Sequence, residues 1–212
     1  MNKLTEKVFE CVPRSDFTGL EVAALFPGSK DRRSGLVKRA IASGEIIHIR
    51  RGMYCLDSKY RKHPVSLYSL SQRIYGPSYI SLESALSRHG WIPEAVHTIT
   101  SVSLNKSRDF KTSLGIFSYT RVPQKVFYES VERLSDDAGN VLLMASPVKS
   151  LVDYVYVHKK DWSGIEPAVE SLRIDHEELE SITGEQLEAL RANYRSRRVR
   201  RFIEGMMRDL KL

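Results

Sequence analysis

The chain has 212 residues, 42% of them apolar and 28% charged, which are ordinary proportions for a globular protein and allow one large domain or two small ones. It contains no run of the roughly 18 apolar residues that a membrane helix needs, and its N-terminus lacks the apolar core of a signal peptide. Its two cysteines, Cys11 and Cys55, supply neither a disulfide framework nor a four-ligand zinc site. We therefore expect a cytoplasmic protein with no membrane partner, no metal and no cofactor.

The net charge of +7 is unevenly distributed along the chain. Residues 1–63 carry 13 Lys and Arg against 7 Asp and Glu, and residues 191–212 carry 8 against 2. Residues 161–190 contain nine acids, with only Arg173 as a basic residue. The excess of positive charge at the start of the chain favours a polyanionic partner, although a merely soluble surface would account for it too.

Residues 1–60 begin with the pattern of three short helices. Apolar side chains recur at helical spacing over residues 4–12. Thr18 is predicted to cap a second helix, which the following Pro-Gly pair ends, and Ser29 to cap a third, which stops at Gly44. With the hairpin that follows, this order predicts a winged helix-turn-helix domain over residues 1–60.

The third helix is predicted to have one apolar face and one basic face. At about 100° per residue, the apolar face consists of Leu36, Val37, Ala40 and Ile41. The opposite face consists of Asp31, Arg32, Gly35, Lys38, Arg39 and Ala42. Gly35 costs roughly 1 kcal/mol against Ala inside a helix. Close approach to DNA would explain this glycine, and so would a helix that starts late.

The apolar runs 46–49 and 53–56 are predicted to pair as two strands, with "RRG" between them as the tip of a wing. Arg50 and Arg51 would reach phosphates or the minor groove, while Lys and Arg on the third helix would pair with guanine or phosphate in the major groove. The predicted DNA-binding residues are Lys30, Arg32, Arg33, Ser34, Lys38, Arg39, Arg50 and Arg51. Two alternatives stay open: a solvated turn on a domain that binds no DNA, and a module that contacts proteins.

A polar linker is expected over residues 57–66, followed by a second domain over 66–212. Its predicted elements are a helix over 67–74, a helix capped by Ser81, strands at 98–104, 115–123 and 141–145, a helix capped by Ser146 with Pro147 at its first position, and two short acidic helices within 161–190. This pattern predicts an α+β domain with a small mixed or antiparallel sheet.

The segment 184–212 is predicted to end in an amphipathic helix. Its apolar stripe consists of Val199, Phe202, Ile203, Met206, Met207 and Leu210, and its arginines are Arg197, Arg198, Arg200, Arg201 and Arg208. The favoured interpretation is that the stripe packs on the second domain while the arginines meet the acidic residues of 175–188. The alternatives are a docking helix for a partner, or phosphate contacts made by Arg197, Arg198, Arg200 and Arg201.

The sequence shows no constellation that indicates an enzyme. The six histidines lack metal-ligand spacing, and His89 and His158 are interpreted as capping or packing residues. Asp136 and Asp137 are interpreted as a loop turn, and Lys149 and Asp153 as an i,i+4 ion pair on one helix. We expect no catalytic residue.

Three stretches of the chain resemble a known family. They are the wing end Gly52-Met53-Tyr54, the segment from Pro77 to Leu86 ("PSYISLESAL") and the segment from Ala145 to Asp153 ("ASPVKSLVD"). Together they are similar to AbiEi, the antitoxin of the AbiE type IV toxin–antitoxin systems of phage defence, over residues 10–160. Ser150 departs from the alanine more frequent in that family, and residues 161–212 carry no family motif.

The resemblance implies a winged-helix transcriptional repressor that binds its own operator, autoregulates a two-gene operon and counteracts a nucleotidyltransferase-like toxin. In the family, DNA binding belongs to the N-terminal module and antitoxic action to the second domain. The alternatives are an antitoxin that acts mainly through protein contact, and a solitary regulator without a toxin partner.

Overall fold

A computed structural model describes residues 1–136 and 139–212 of the chain. Within these residues it has ten α-helices, one 3-10 helix and nine strands in two sheets, which confirms the predicted mixed α+β class. In the same residues, no helix combines the length and the apolar character that crossing a membrane requires. Asp137, half of the predicted loop turn, lies outside the described residues.

The N-terminal module, residues 1–60, contains three helices and a three-stranded antiparallel sheet. Its elements are α1 (Lys3–Cys11), β1 (Asp16–Thr18), α2 (Gly19–Leu25), α3 (Lys30–Ala42), β2 (Ile46–Arg50), β3 (Met53–Leu56) and a 3-10 helix (Ser58–Tyr60). The strand order is β1-β3-β2. The sequence did not predict β1, because a strand of three residues is too short to show an alternating pattern.

The helix ends of the N-terminal module follow from local capping chemistry. Thr18 and Glu21 form a reciprocal capping box at the start of α2, as the capping prediction for Thr18 requires. The Ser29 hydroxyl accepts a hydrogen bond from the Arg32 amide at 3.3 Å, and Gly44, with φ of +70°, follows the end of α3. Because α3 already begins at Lys30, the late-start explanation of its glycine is wrong.

The small sheet lies between two apolar clusters. On one side Ile46 and Leu56 pack with the three helices of the module. On the other side Ile49, Met53 and Cys55 pack with side chains from the remainder of the chain. The hairpin β2–β3 is therefore fixed on both of its faces.

The remainder of the chain is built on a six-stranded mixed sheet. Its elements up to residue 157 are α4 (Leu67–Ile74), β4 (Ser78–Ile80), α5 (Leu82–Arg88), β5 (Thr98–Ser103), β6 (Arg108–Thr112), β7 (Gly115–Arg121), β8 (Val131–Ser135), β9 (Val141–Ala145) and α6 (Pro147–Val157). The strand order is β6-β7-β5-β4-β9-β8, with β4–β9 and β5–β7 parallel and the other pairs antiparallel. The sheet is larger than expected, because β4, β6 and β8 were not predicted from the sequence.

Four helices complete the fold: α7 (Glu166–Leu172), α8 (His176–Glu180), α9 (Gly184–Asn193) and α10 (Arg197–Asp209). The prediction of two acidic helices within 161–190 is wrong, because α7, α8 and the start of α9 are three separate helices. The apolar stripe of α10 is buried, and Val199, Phe202, Ile203 and Met206 are all 0% exposed. Burial of this stripe agrees with the favoured interpretation of the C-terminal segment.

Candidate nucleic-acid interface

A cleft of about 670 Å³ opens between α2, α3 and the hairpin β2–β3. Its lining residues are Gly19, Leu20, Val22, Ala23, Lys30, Arg33, Ser34, Val37, Lys38, Ile41, His48 and Tyr54. Four of the predicted DNA-binding residues, Lys30, Arg33, Ser34 and Lys38, therefore share one concave surface. His48 and Tyr54 were missed, although they are cross-strand partners in the hairpin and so face the same side.

The buried face of α3 is narrower than the sequence predicted. Leu36, Val37 and Ala40 are buried as expected, but Ile41 is 38% exposed and lines the cleft. Leu20, at the start of α2, is 83% exposed in the same cleft. An exposed leucine and isoleucine beside lysine side chains give the cleft an apolar floor within a basic rim.

The predicted cations of α3 lie on two flanks of the helix. Lys30, Ser34 and Lys38 are spaced by four residues and line the cleft. Arg32 and Arg39 are exposed but do not line it. A Cβ placed on Gly35 would stand 3.5 Å from Nη1 of Arg39, so the Arg39 guanidinium extends along this glycine.

The tip of the hairpin is joined to the start of α2. Gly52 has φ of +73°, a conformation that favours glycine, and its carbonyl oxygen accepts a hydrogen bond from the Gly19 amide at 2.9 Å. Arg50 and Arg51 precede this turn and are exposed, and the strand register shifts between His48 and Arg50. The two arginines thus lie next to the first turn of α2.

Most of the predicted cations have no counter-ion in residues 1–136 and 139–212. Among the described residues, no ion pair or side-chain hydrogen bond is formed by Lys30, Arg32, Lys38, Arg39, Arg50 or Arg51. Arg33 donates a hydrogen bond to the Gly28 carbonyl at 2.5 Å. Unpaired exposed cations keep their full charge for an external anion.

Most arginines of α10, unlike the cations of α3 and the hairpin tip, have partners within the protein. Arg201 pairs with Asp161, Arg198 donates to the Tyr156 carbonyl at 3.1 Å, and Arg200 donates to the Tyr194 carbonyl at 2.9 Å. Arg208 likewise contacts Ser163 and Asp209, whereas Arg197 is exposed. The prediction that these arginines meet the acidic residues of 175–188 is therefore wrong, because their partners are two other acids and several carbonyl groups.

A buried polar network lies in the C-terminal part of the chain. Lys149 and Asp153 form the predicted i,i+4 pair at 3.4 Å, but both side chains are 0% exposed. Asp153 also accepts hydrogen bonds from the hydroxyls of Tyr79 at 3.0 Å, Ser81 at 2.8 Å and Tyr194 at 2.5 Å. Because Ser81 bonds to Asp153, its side chain makes no capping bond at the start of α5, contrary to the prediction.

Lys149 is a buried amine with a perturbed acidity. Burial lowers its pKa, and the neighbouring Asp153 carboxylate works in the opposite direction. Ser146 and Lys149 have the Ser-x-x-Lys spacing of some acyl-transfer enzymes, so the sequence-based conclusion that the chain lacks this pattern is wrong. The Ser146 hydroxyl accepts a capping bond from the Lys149 amide at 3.3 Å, while Lys149 Nζ bonds to Asp153, Gln124 and Tyr194. The amine is thus directed into the network and away from this serine.

The two singled-out histidines have packing roles. His89 Nε2 lies 3.0 Å from the Ala145 carbonyl oxygen, and His158 Nε2 lies 2.8 Å from Glu83 Oε1. Within the part of the chain that the structure describes, no three His, Cys, Asp or Glu side chains are grouped so as to hold a metal ion.

No protein-family model matches the chain, and no curated protein matches it either. The similarity of its three motifs to the AbiEi antitoxins therefore stays a prediction. Two of these motifs meet in the fold, since Tyr79 and Ser81 come from one and Lys149 and Asp153 from the other.

Proposed function

We propose that the protein is a sequence-specific DNA-binding transcriptional repressor and that its N-terminal module is a winged helix-turn-helix. The order of three helices and a β1-β3-β2 sheet supports this assignment. The observation that carries it is that α3 and the hairpin tip present six exposed cations that form no ion pair among the described residues, two of which, Lys30 and Lys38, line the cleft.

In the proposed complex, α3 enters the major groove, whose width of about 12 Å admits a helix. Lys30, Ser34 and Lys38 contact base edges and phosphates, and the apolar Ile41 and Leu20 are suited to thymine methyl groups. Arg50 and Arg51 contact the adjacent backbone or the minor groove. Arg32 and Arg39, on the other flank of α3, contact the opposite wall of the groove.

The test compares the wild type with the variant Lys38→Ala/Arg50→Ala/Arg51→Ala on a duplex from upstream of its own gene. We expect the variant to bind at least 100-fold more weakly, at about 1–3 kcal/mol for each base or phosphate contact. A matched control, Lys3→Ala/Lys7→Ala/Lys59→Ala, removes the same charge from residues outside the cleft and should bind nearly as the wild type does. Equal losses in both variants would show that charge alone, and not this surface, governs binding.

A second proposal is that the protein is also an antitoxin for a nucleotidyltransferase-like toxin, acting through its C-terminal part. It is supported by the meeting of two AbiEi-like motifs in the buried network around Asp153. Co-expression with the product of the neighbouring gene tests this proposal. Growth should be restored by the wild type and also by Lys38→Ala/Arg50→Ala/Arg51→Ala, the variant expected to bind DNA weakly. Failure of the wild type to restore growth, or a neighbouring gene of another class, would favour a solitary regulator.

A further inference from the structure

The hairpin of the N-terminal module shares a buried apolar cluster with the six-stranded sheet. Ile49 and Met53 of the hairpin belong to the same buried cluster as Phe117 and Tyr119 of β7, with Phe110 of β6 packed against it. Ile49 and Met53 therefore share one buried cluster with β7, the strand that pairs with the edge strand β6.

The register of β6 places a cation on the sheet face that carries the hairpin. Arg108 is directly opposite Tyr119, so their side chains share one face of the sheet. Phe110, two residues further on, shares that face, and the Arg108 guanidinium lies 5.0 Å from the centre of its ring. By the same alternation Lys111 points to the other face.

Lys106 is held at the same corner of the molecule. The Tyr75 hydroxyl donates a hydrogen bond to the Lys106 carbonyl at 3.1 Å. The Tyr75 ring packs at 5.2 Å from that of Tyr119 and 5.6 Å from that of Phe110. An aromatic cluster of these three rings thus fixes the backbone on which Lys106 and Arg108 stand, and both side chains are exposed.

Arg50 of the wing reaches the same cluster. Ile49, the residue before Arg50, belongs to the same buried cluster as Tyr119. Burial raises the pKa of Tyr119, and the positive charge of Arg50 acts against that rise. No ion pair neutralises Arg50, Lys106 or Arg108 among the residues that the structure describes. Arg108 thus stacks on Phe110, the Lys106 carbonyl is bonded to Tyr75, and Arg50 follows Ile49 of the same buried cluster.

We propose that Lys106 and Arg108 extend the DNA-binding surface beyond the wing and bind backbone phosphates next to those contacted by Arg50 and Arg51. This inference rests on the proposed DNA binding of the N-terminal module. In this proposal, residues from the C-terminal part of the chain also contact the DNA duplex. Backbone phosphates are the partner because Arg108, on the edge strand β6, and Lys106, just before that strand, are exposed cations, and charge alone is enough to contact a phosphate.

The test uses the full-length variant Lys106→Gln/Arg108→Gln, in which glutamine removes both charges and keeps a polar side chain at each position. Affinity for the upstream duplex is measured from 50 to 300 mM salt. Each lost phosphate contact makes the slope of log K against log salt shallower by about 0.9, so we expect a change of about 1.8 and roughly tenfold weaker binding at low salt. The control Lys111→Gln/Arg133→Gln removes two charges from the other face and the other edge of the sheet.

The outcomes separate the two proposals. If the wild type binds and the Lys106→Gln/Arg108→Gln slope equals that of the control, the inference is overturned while DNA binding by the N-terminal module stands. If the wild type does not bind any upstream duplex, both fail. The variant Arg108→Lys, which keeps the charge, should retain the wild-type slope, and a loss there would assign Arg108 to packing rather than to phosphate contact.

Discussion

At the scale of single residues, Lys149 and Asp153 show how far a sequence pattern reaches. Their spacing of four along one helix predicts that they meet, and they do so at 3.4 Å. The spacing does not predict burial, because that depends on Tyr79 and Tyr194, which lie far away in the chain. A pair that the sequence identifies only as neighbours on one helix is the centre of a buried polar network.

Replacing Lys149 by methionine is expected to destabilise the protein by about 3–5 kcal/mol, because Asp153 would be left as a buried carboxylate without its cation. Urea unfolding followed by tryptophan fluorescence measures this loss. The control Lys7→Met, at an exposed position of α1, should change stability by less than about 0.5 kcal/mol. If the two variants proved equally stable, the buried pair would have no structural role.

The lowered pKa of Glu21 predicts how the stability of the fold changes with pH. Burial favours its neutral form, but hydrogen bonds from the Thr18 amide and hydroxyl and the charges of Arg73 and Arg14 outweigh this and lower its pKa. A carboxyl group with a lowered folded-state pKa stabilises the fold above its unfolded value of 4.5, and that stabilisation is lost as the pH falls through the folded value. Glu21→Gln should therefore be less stable at pH 7 and should lose less stability than the wild type between pH 7 and pH 3.

Thermal unfolding at several pH values tests this. Glu6→Gln, an exposed acid of α1, serves as the control and should follow the wild-type profile. A Glu21→Gln profile parallel to that of the wild type would contradict the assignment.

At the scale of elements, the sequence predicts helices with strong caps and stripes, and misses strands that are short or polar. The stripe of α10 and the caps of α2, α3 and α6 are visible as local patterns. The edge strands β6 and β8 are not, because their exposed, charged residues resemble a loop. Pairing with β7 and β9, respectively, and not their composition, makes them strands.

Two helical glycines should respond in opposite ways to alanine. A Cβ at Gly35 in α3 would meet only the flexible end of Arg39, so Gly35→Ala should stabilise the fold by about 1 kcal/mol. A Cβ at Gly205 in α10 would overlap the backbone carbonyl of Ser163, so Gly205→Ala should destabilise it by about 1–3 kcal/mol. Urea midpoints measure both effects, and equal signs would contradict them.

If Gly35 permits close approach to DNA, its alanine variant should also bind the upstream duplex more weakly despite its greater stability.

Because apolar side chains of α10 are buried, phosphate contacts by its arginines are better tested by substitution than by truncation. Removing residues 196–212 would expose the core that Val199, Phe202 and Ile203 help to fill, so a truncated chain reports on folding before it reports on DNA. Arg197→Ala, at an exposed position, isolates a phosphate contact without that loss. The three other candidate arginines of this helix already have partners within the protein.

At the scale of the whole molecule, the sequence predicts the uneven charge and much of the order of the elements. It does not predict how the N-terminal module packs against the remainder of the chain. The basic excess of residues 1–63 directs attention to α3 and the hairpin, which line the cleft. The packing of the small sheet between two apolar clusters could not be foreseen, since Ile49 and Met53 fit either side of a hairpin equally well in the sequence. That packing places the hairpin and β7 in one buried cluster, against which Phe110 of the edge strand β6 packs.

Sequence-specific DNA binding through the N-terminal module is the central claim, and its most direct measurement is the ratio of two affinities. The wild type is titrated at 150 mM salt with a duplex from upstream of its gene and with a shuffled duplex of the same composition. We predict at least 1,000-fold tighter binding to the upstream duplex, the lower end of the range for specific DNA-binding proteins, and loss of that preference in Lys38→Ala/Arg50→Ala/Arg51→Ala. Equal affinity for both duplexes, or an unchanged preference in the variant, would contradict the account.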